Sequence, residues 1–105
     1  MASPVDQARA AAWTAELLRK AADIARQQSM LASQRAEVTR AVAVSEQEEA
    51  ALTPDPNHAA PRAQRVKLLQ DEARVLDVEA ATLQAESDRL LAQARTAEQR
   101  AKMVR

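Results

Sequence analysis

Apolar residues in the second half of the chain recur at alternating spacings of three and four. This spacing keeps one side of an α-helix apolar along its whole length. The repeat runs without a charged member through the following positions: Val66, Leu69, Ala73, Leu76, Ala80, Leu83, Ser87, Leu90, Ala94, Ala97, Ala101 and Val104. The second half therefore predicts one long helix with a single seam that faces a partner helix.

The first half carries two apolar stripes, each with a spacing of seven residues. An aliphatic stripe has large residues at most of its positions: Ala10, Leu17, Ile24, Leu31, Val38, Ser45 and Leu52. An alanine stripe is small throughout, with Ala11, Leu18, Ala25 and Ala32 beside it: Ala8, Ala15, Ala22, Ser29, Ala36, Ala43 and Ala50. A helix with one neighbour needs only one stripe, so we expect the first helix to contact two.

Helix-breaking residues divide the chain into two helices. Ser3 is suited to an N-cap, Pro4 to the first helical position and Asp6 to the positive end of the helix dipole. The chain has no glycine, and three of its four prolines lie within residues 52–61, "LTPDPNHAAP". We predict a helix over about 4–52, a turn over 53–60 and a helix over about 61–104, in a single helical-hairpin domain of residues 1–105.

Two helices of similar length around such a turn predict an all-α fold, an antiparallel two-helix coiled-coil hairpin. The alternative is one kinked rod in a parallel oligomer, which the clustered prolines disfavour. If the aliphatic stripe faces the second helix, Arg65 comes near Glu48, and Arg100 comes near Trp13 for a cation–π contact. That register pairs Leu17 with Ala97, Ile24 with Leu90, Leu31 with Leu83, Val38 with Leu76 and Ser45 with Leu69.

This arrangement leaves the alanine stripe in water, and two-helix proteins bury little area for the chain entropy that they lose. A second copy would cover the stripe, so we predict a dimeric four-helix bundle. Gln28 and Arg35 either set its register or extend from a shallow seam into solvent. The predicted self-association residues, in a homodimer or a higher oligomer, are Ala8, Ala15, Ala22, Ala25, Ala36, Ala43, Leu18 and Leu91.

Composition narrows the class of protein further. The chain has 105 residues, one tryptophan and no phenylalanine or tyrosine, and alanine makes up much of its 47% hydrophobic content. Fifteen basic residues balance fifteen acidic residues, so bulk charge gives no reason to expect nucleic acid or anionic membrane as a partner. No segment resembles a membrane span or a signal peptide, which predicts a soluble cytoplasmic protein, with leaderless secretion as the alternative.

The residues that carry catalysis or bind metals are nearly absent. There is no cysteine, and the single histidine, His58, lies in the predicted turn. Glu72, Glu79 and Glu86 recur every seven residues on a position that flanks the seam, where a solvated charged edge is expected. We predict no catalytic residue, no bound metal and no cofactor, and the protein is not expected to be an enzyme.

Basic residues gather at the end of the hairpin where the two termini meet. Around Trp13 they form a candidate docking patch for an acidic protein or a nucleic acid, because Trp and Arg dominate binding hot spots. The alternative is that the arginines stabilise helix ends and Trp13 caps the bundle. The predicted partner-binding residues are Trp13, Arg9, Arg19, Lys20, Arg95, Arg100, Lys102 and Arg105.

These features together predict a non-catalytic helical interaction and oligomerisation protein that acts as a scaffold, adaptor or small regulatory subunit. One alternative is a nucleic-acid-binding bundle that is similar in overall architecture to the plasmid protein Rop, using Arg19, Arg26 and Arg40 on the first helix. A further alternative is a secreted, assembly-forming hairpin that stacks head to tail through its oppositely charged ends.

Overall fold

A computed structural model describes residues 3–103 of the chain. It contains two α-helices, α1 over Pro4–Leu52 with 49 residues and α2 over Ala59–Met103 with 45 residues. Within the described residues there is no strand. The two helices pack against each other as a helical hairpin, which confirms the predicted all-helical fold.

The start of α1 has the cap that the sequence predicts. The backbone N–H of Asp6 donates to Ser3 Oγ at 3.1 Å, and the N–H of Gln7 donates to the Ser3 carbonyl at 3.0 Å. The bond to Ser3 Oγ satisfies an N–H group that has no carbonyl partner inside the helix, and the bond to the Ser3 carbonyl is the first of the regular helical bonds. Asp6 also lies in the first turn, where its carboxylate stabilises the helix dipole.

Asp55 organises the turn between the helices. Its carboxylate accepts the N–H of Asn57 at 3.0 Å and lies 2.6 Å from His58 Nδ1, and its carbonyl accepts the N–H of His58 at 3.0 Å. The second helix begins at Ala59, two residues before Pro61. Pro61 is tolerated there because N–H groups in the first turn of a helix have no carbonyl partner.

The chain divides into two compact units. The turn unit is Ser29–Ala81, and the terminal unit contains the chain up to Gln28 and from Thr82 onwards. Each unit contains one part of α1 and one part of α2. The contacts below are therefore given within one unit or the other.

The alanine stripe packs against α2 inside the hairpin in both units. Ala22 is buried in the terminal unit and Ala36 in the turn unit, and the facing positions of α2 are also buried. The prediction that the hairpin leaves this stripe in water is therefore wrong. The buried apolar residues are Ala15, Ala22, Ala25, Ala32, Ala36, Ala43, Val66, Ala73, Ala80, Ala94 and Ala97, with relative exposures between 0% and 9%.

Two buried serines set the register between the helices. Ser87 Oγ donates to the carbonyl of Ala22 at 2.8 Å in the terminal unit, and Ser29 Oγ donates to the carbonyl of Ala80 at 2.7 Å in the turn unit. A hydroxyl reaches the backbone of the opposite helix only where side chains are small enough for the helices to lie close. Stepping by seven residues from Ser29 and Ala80 places Ala36 opposite Ala73.

The aliphatic stripe of α1 is outside the hairpin. Leu17, Ile24, Leu31 and Val38 have relative exposures between 48% and 63%. The predicted register, in which Leu17 faces Ala97 and Val38 faces Leu76, is therefore wrong. The two stripes occupy different sides of one helix, and the side with small residues is the one that faces α2.

Ion pairs between the helices lie at the edge of this contact. Arg19 pairs with Glu98 in the terminal unit, and Arg40 pairs with Asp77 in the turn unit. Arg65 Nη1 lies 3.5 Å from Glu46 Oε1, so the predicted partner Glu48 is wrong by two residues. Trp13 makes no ring contact with Arg100 among the described residues, so the expected cation–π contact is also absent. Exposed pairs of this kind contribute at most about 1 kcal/mol each.

Replacing a residue of the alanine stripe by leucine should force the helices apart. We expect Ala36→Leu to lower the free energy of unfolding by about 1–3 kcal/mol, the usual cost of overpacking a tight contact. Ala41→Leu is the matched control, because Ala41 is exposed on the same helix. Urea denaturation at one protein concentration measures both. Equal stabilities of the two variants would show that Ala36 does not face α2.

Removing the Ser29 hydroxyl should cost the hydrogen bond to Ala80. The control Ser33→Ala, at an exposed site of α1, should gain the higher helix propensity of alanine, roughly 0.5 kcal/mol. We expect Ser29→Ala to be less stable than Ser33→Ala by about 1 kcal/mol in the same denaturation measurement, the net value of one hydrogen bond. A difference near zero would contradict the bond.

Candidate interaction surface

A groove in the turn unit lies between the aliphatic stripe of α1 and the apolar seam of α2, to which Leu76 belongs. Its volume is about 560 Å³. Leu31 and Val38 are more than half exposed there, whereas Leu76 is half-buried. The residues that line this turn-side groove are Leu31, Gln34, Arg35, Val38, Thr39, Glu72 and Leu76.

At and around the turn-side groove, each helix carries a row of apolar and charged residues at spacings of four, three and four, called here its apolar row. On α1 the row is Leu31, Arg35, Val38 and Val42. On α2 the row is Leu68, Glu72, Val75 and Glu79, in which Leu68 and Val75 are 62% and 66% exposed. These positions follow the helical repeat without taking part in the contact between α1 and α2. They are therefore available to other helices.

The charged residues of these two rows have opposite signs. Arg35 belongs to α1, and Glu72 and Glu79 belong to α2. None of the three forms an ion pair with another residue in the described part of the chain. The turn unit thus presents an apolar surface with a cation along one helix and carboxylates along the other.

A second concave region of the turn unit lies beside the turn, with a volume of about 630 Å³. Arg62 Nη1 is buried there and has no hydrogen-bond partner. Glu46 also lines the region, but its carboxylate lies near Arg65. A buried donor without an acceptor lowers stability. The lining residues are Glu46, Gln47, Ala50, Pro54, Asp55, Pro56, Ala59, Arg62, Ala63, Val66, Lys67 and Gln70.

The terminal unit holds the predicted basic patch. Arg19 and Lys102 line a groove there with Glu98, which pairs with Arg19, and Lys20 lies 3.7 Å from Glu16. Trp13 is 60% exposed and does not line that groove. Three further residues make no ion pair with any described residue: Arg9, Arg95 and Arg100. Arg105 lies outside the described residues. Binding of a partner by this patch stays a prediction.

Most of the residues predicted for self-association are buried inside the hairpin. Ala15, Ala22, Ala25, Ala36 and Ala43 are buried against α2, and Ala8 and Leu18 are half-buried in line with them. Only Leu91 among the predicted set counts as exposed, at 37%. Residues of the aliphatic stripe replace the alanines as the exposed apolar surface. The seven-residue spacing of the aliphatic stripe is visible in the sequence, but the spacing does not show on which side of the hairpin the stripe lies.

Within residues 3–103 there is neither a cluster of metal-ligating side chains nor a membrane-spanning helix. No three side chains of His, Asp or Glu in that range are grouped so that they would hold an ion. Neither α1 nor α2 has a stretch of sufficient length and hydropathy to cross a bilayer.

Comparisons with known proteins add no family to this description. No family model matches the chain, and no curated protein or solved structure matches it either. The candidate surface thus depends on the physical properties of its own residues.

Replacing Arg62 by methionine should not destabilise the protein. Methionine keeps the aliphatic stem and removes the buried donor, so we expect Arg62→Met to raise the free energy of unfolding by about 1 kcal/mol. The control Arg65→Met removes an exposed guanidinium beside Glu46 and should change it by less than about 1 kcal/mol. Chemical denaturation measures both. A clear loss for Arg62→Met would show that its guanidinium has an acceptor.

Proposed function

We propose that this protein is a non-catalytic helical interaction protein that self-associates through the exposed apolar rows of its turn unit. In this role it serves as a scaffold, adaptor or small regulatory subunit. The observation that supports the proposal is the placement of Leu31 and Val38. Both recur on a helical repeat, yet both lie outside the contact between α1 and α2.

The area exposed by the chain supports the same proposal. The chain exposes 7952 Å², whereas a folded monomer of 11.5 kDa exposes about 5,800 Å² by the usual scaling of surface with mass. A stable interface covers about 800 Å² on each partner. The difference between the exposed area and the area expected for a folded monomer is larger than the area that one stable interface covers. Covering the apolar rows of the turn unit therefore removes only part of this excess exposed area.

Because the buried side chains are small, burying the exposed aliphatic side chains would add substantially to the stability of the protein. Burying a methylene group contributes about 0.8 kcal/mol, and the contact between α1 and α2 is built mainly from alanine methyl groups. The larger aliphatic side chains, which would contribute more, are the ones left in water. Association places them in an apolar environment and so adds the burial that the hairpin lacks.

Sedimentation equilibrium on the purified chain tests the proposal. We expect a mass that is a multiple of 11.5 kDa at micromolar concentration. Val38→Glu should raise the dissociation constant at least tenfold, because a carboxylate in an apolar contact must be desolvated.

The control is Val44→Glu, which makes the same change at an exposed valine of α1 outside the turn-side groove. It should leave the dissociation constant unchanged. A monomeric wild-type chain throughout the micromolar range would overturn self-association. Equal effects of the two variants would show that association uses another surface.

A further inference from the structure

We propose that the turn-side groove binds the same groove of a second copy, with the two hairpins side by side and their turns at the same end. In this arrangement α1 of each copy lies against α2 of its partner, and Arg35 pairs with the partner's Glu72. The inference rests on the proposed self-association and specifies its surface, its symmetry and its ion pairs.

The two rows beside the groove are complementary to each other. Leu31 and Val38 on α1 have the same spacing as Leu68 and Val75 on α2, with Arg35 in the middle of one row and Glu72 in the middle of the other. A surface that consists of two complementary halves can bind an identical surface through a two-fold axis. A second copy of this chain therefore carries both of the rows that the contact requires.

A two-fold axis can join the two grooves in two ways. An axis along the helices sets α1 of one copy against α2 of its partner. An axis across the helices sets α1 against α1 and α2 against α2. Both arrangements cover the aliphatic residues, so the charged residues of the two rows decide between them.

The charges favour the axis along the helices. The crossed arrangement would place Glu72 and Glu79 against the same carboxylates of the partner, and like charges in contact oppose association. It would also leave Arg35 without an acidic residue from the facing row. In the side-by-side arrangement the row of α1, which contains Arg35, faces the partner's row on α2, which contains the carboxylates. This contact occurs twice, once on each side of the axis.

The register of the hairpin brings the paired charges to one level. Because Ser29 lies opposite Ala80, continuing along both helices places Arg35 and Glu72 at nearly the same height. An axis along the helices leaves every residue at its own height. Arg35 and the partner's Glu72 therefore meet without any further adjustment of register.

Charge reversal with mixing of variants tests this pairing. Arg35→Glu alone and Glu72→Arg alone should each raise the dissociation constant at least tenfold, since each homodimer then contains two like-charge contacts. An equimolar mixture of the two variants should recover wild-type affinity as a heterodimer, because opposite charges then meet at both contacts. Sedimentation equilibrium measures affinity, and native mass spectrometry identifies the heterodimer.

A matched control and a distance measurement complete the test. Arg26→Glu reverses a charge that pairs with Asp23 on its own helix, and it should leave the dissociation constant unchanged. The chain has no cysteine, so Asn57→Cys provides one spin-label site in the turn. Side-by-side hairpins should give a label distance below about 30 Å, because packed helices lie about 8–10 Å apart.

The crossed arrangement predicts a much longer label distance. Asn57 lies about 30 Å along the helix from Arg35 at 1.5 Å per residue, so turns at opposite ends would place the labels about 60 Å apart. That distance would overturn the proposed symmetry. A doubly substituted chain that regains affinity, together with a mixture that does not, would assign Arg35 and Glu72 to pairing within one chain and would also overturn the proposal.

Two other results separate this inference from the proposed function. A wild-type chain that is monomeric overturns self-association and this inference together. A wild-type dimer whose affinity is unchanged by both single reversals overturns this surface and leaves self-association in place.

Discussion

The contact between α1 and α2 is made by side chains so small that the two backbones come within reach of one hydroxyl group. Ser29 and Ser87 each donate to a carbonyl of the opposite helix, and the positions around them are alanine. A leucine in place of any of these alanines would need more space than a close helix contact provides. The large aliphatic residues of α1 are therefore placed on another side of the helix.

The same constraint determines where stability comes from. Alanine has the highest helix propensity of any residue, so each long helix is favoured locally although its contact with the other helix buries little apolar area. A hairpin of this kind gains more from a further contact than a protein with a thick core does. In the proposed dimer, Leu31 and Val38 would provide that contact surface, and the opposite charges of Arg35 and Glu72 would set its direction.

Local signals in the sequence were enough to predict the two helices but not to predict how they pack against each other. Ser3, Pro4 and Asp6 begin α1, and the prolines around Asp55 separate it from α2, because caps and breakers act within a few residues. The two stripes of α1 have the same period, so periodicity alone could not decide which of them faces α2. Size misled the assignment, since large apolar residues are usually the buried ones. The small residues at every seventh position of α2, from Ala73 to Ala94, were the available signal for a close contact.

Disulfide formation within one chain tests most directly whether the alanine stripe faces α2, and the absence of native cysteine makes the result simple to interpret. Disulfides form between residues whose α-carbons are about 4.4–6.8 Å apart. Ala36→Cys combined with Ala73→Cys should form an intrachain disulfide on mild oxidation, measured by mass spectrometry of the denatured chain. Val38→Cys combined with Leu76→Cys should remain reduced within the chain. Efficient cross-linking of the second pair, with the first pair left as free thiols, would show that the aliphatic stripe faces α2 and would contradict the account.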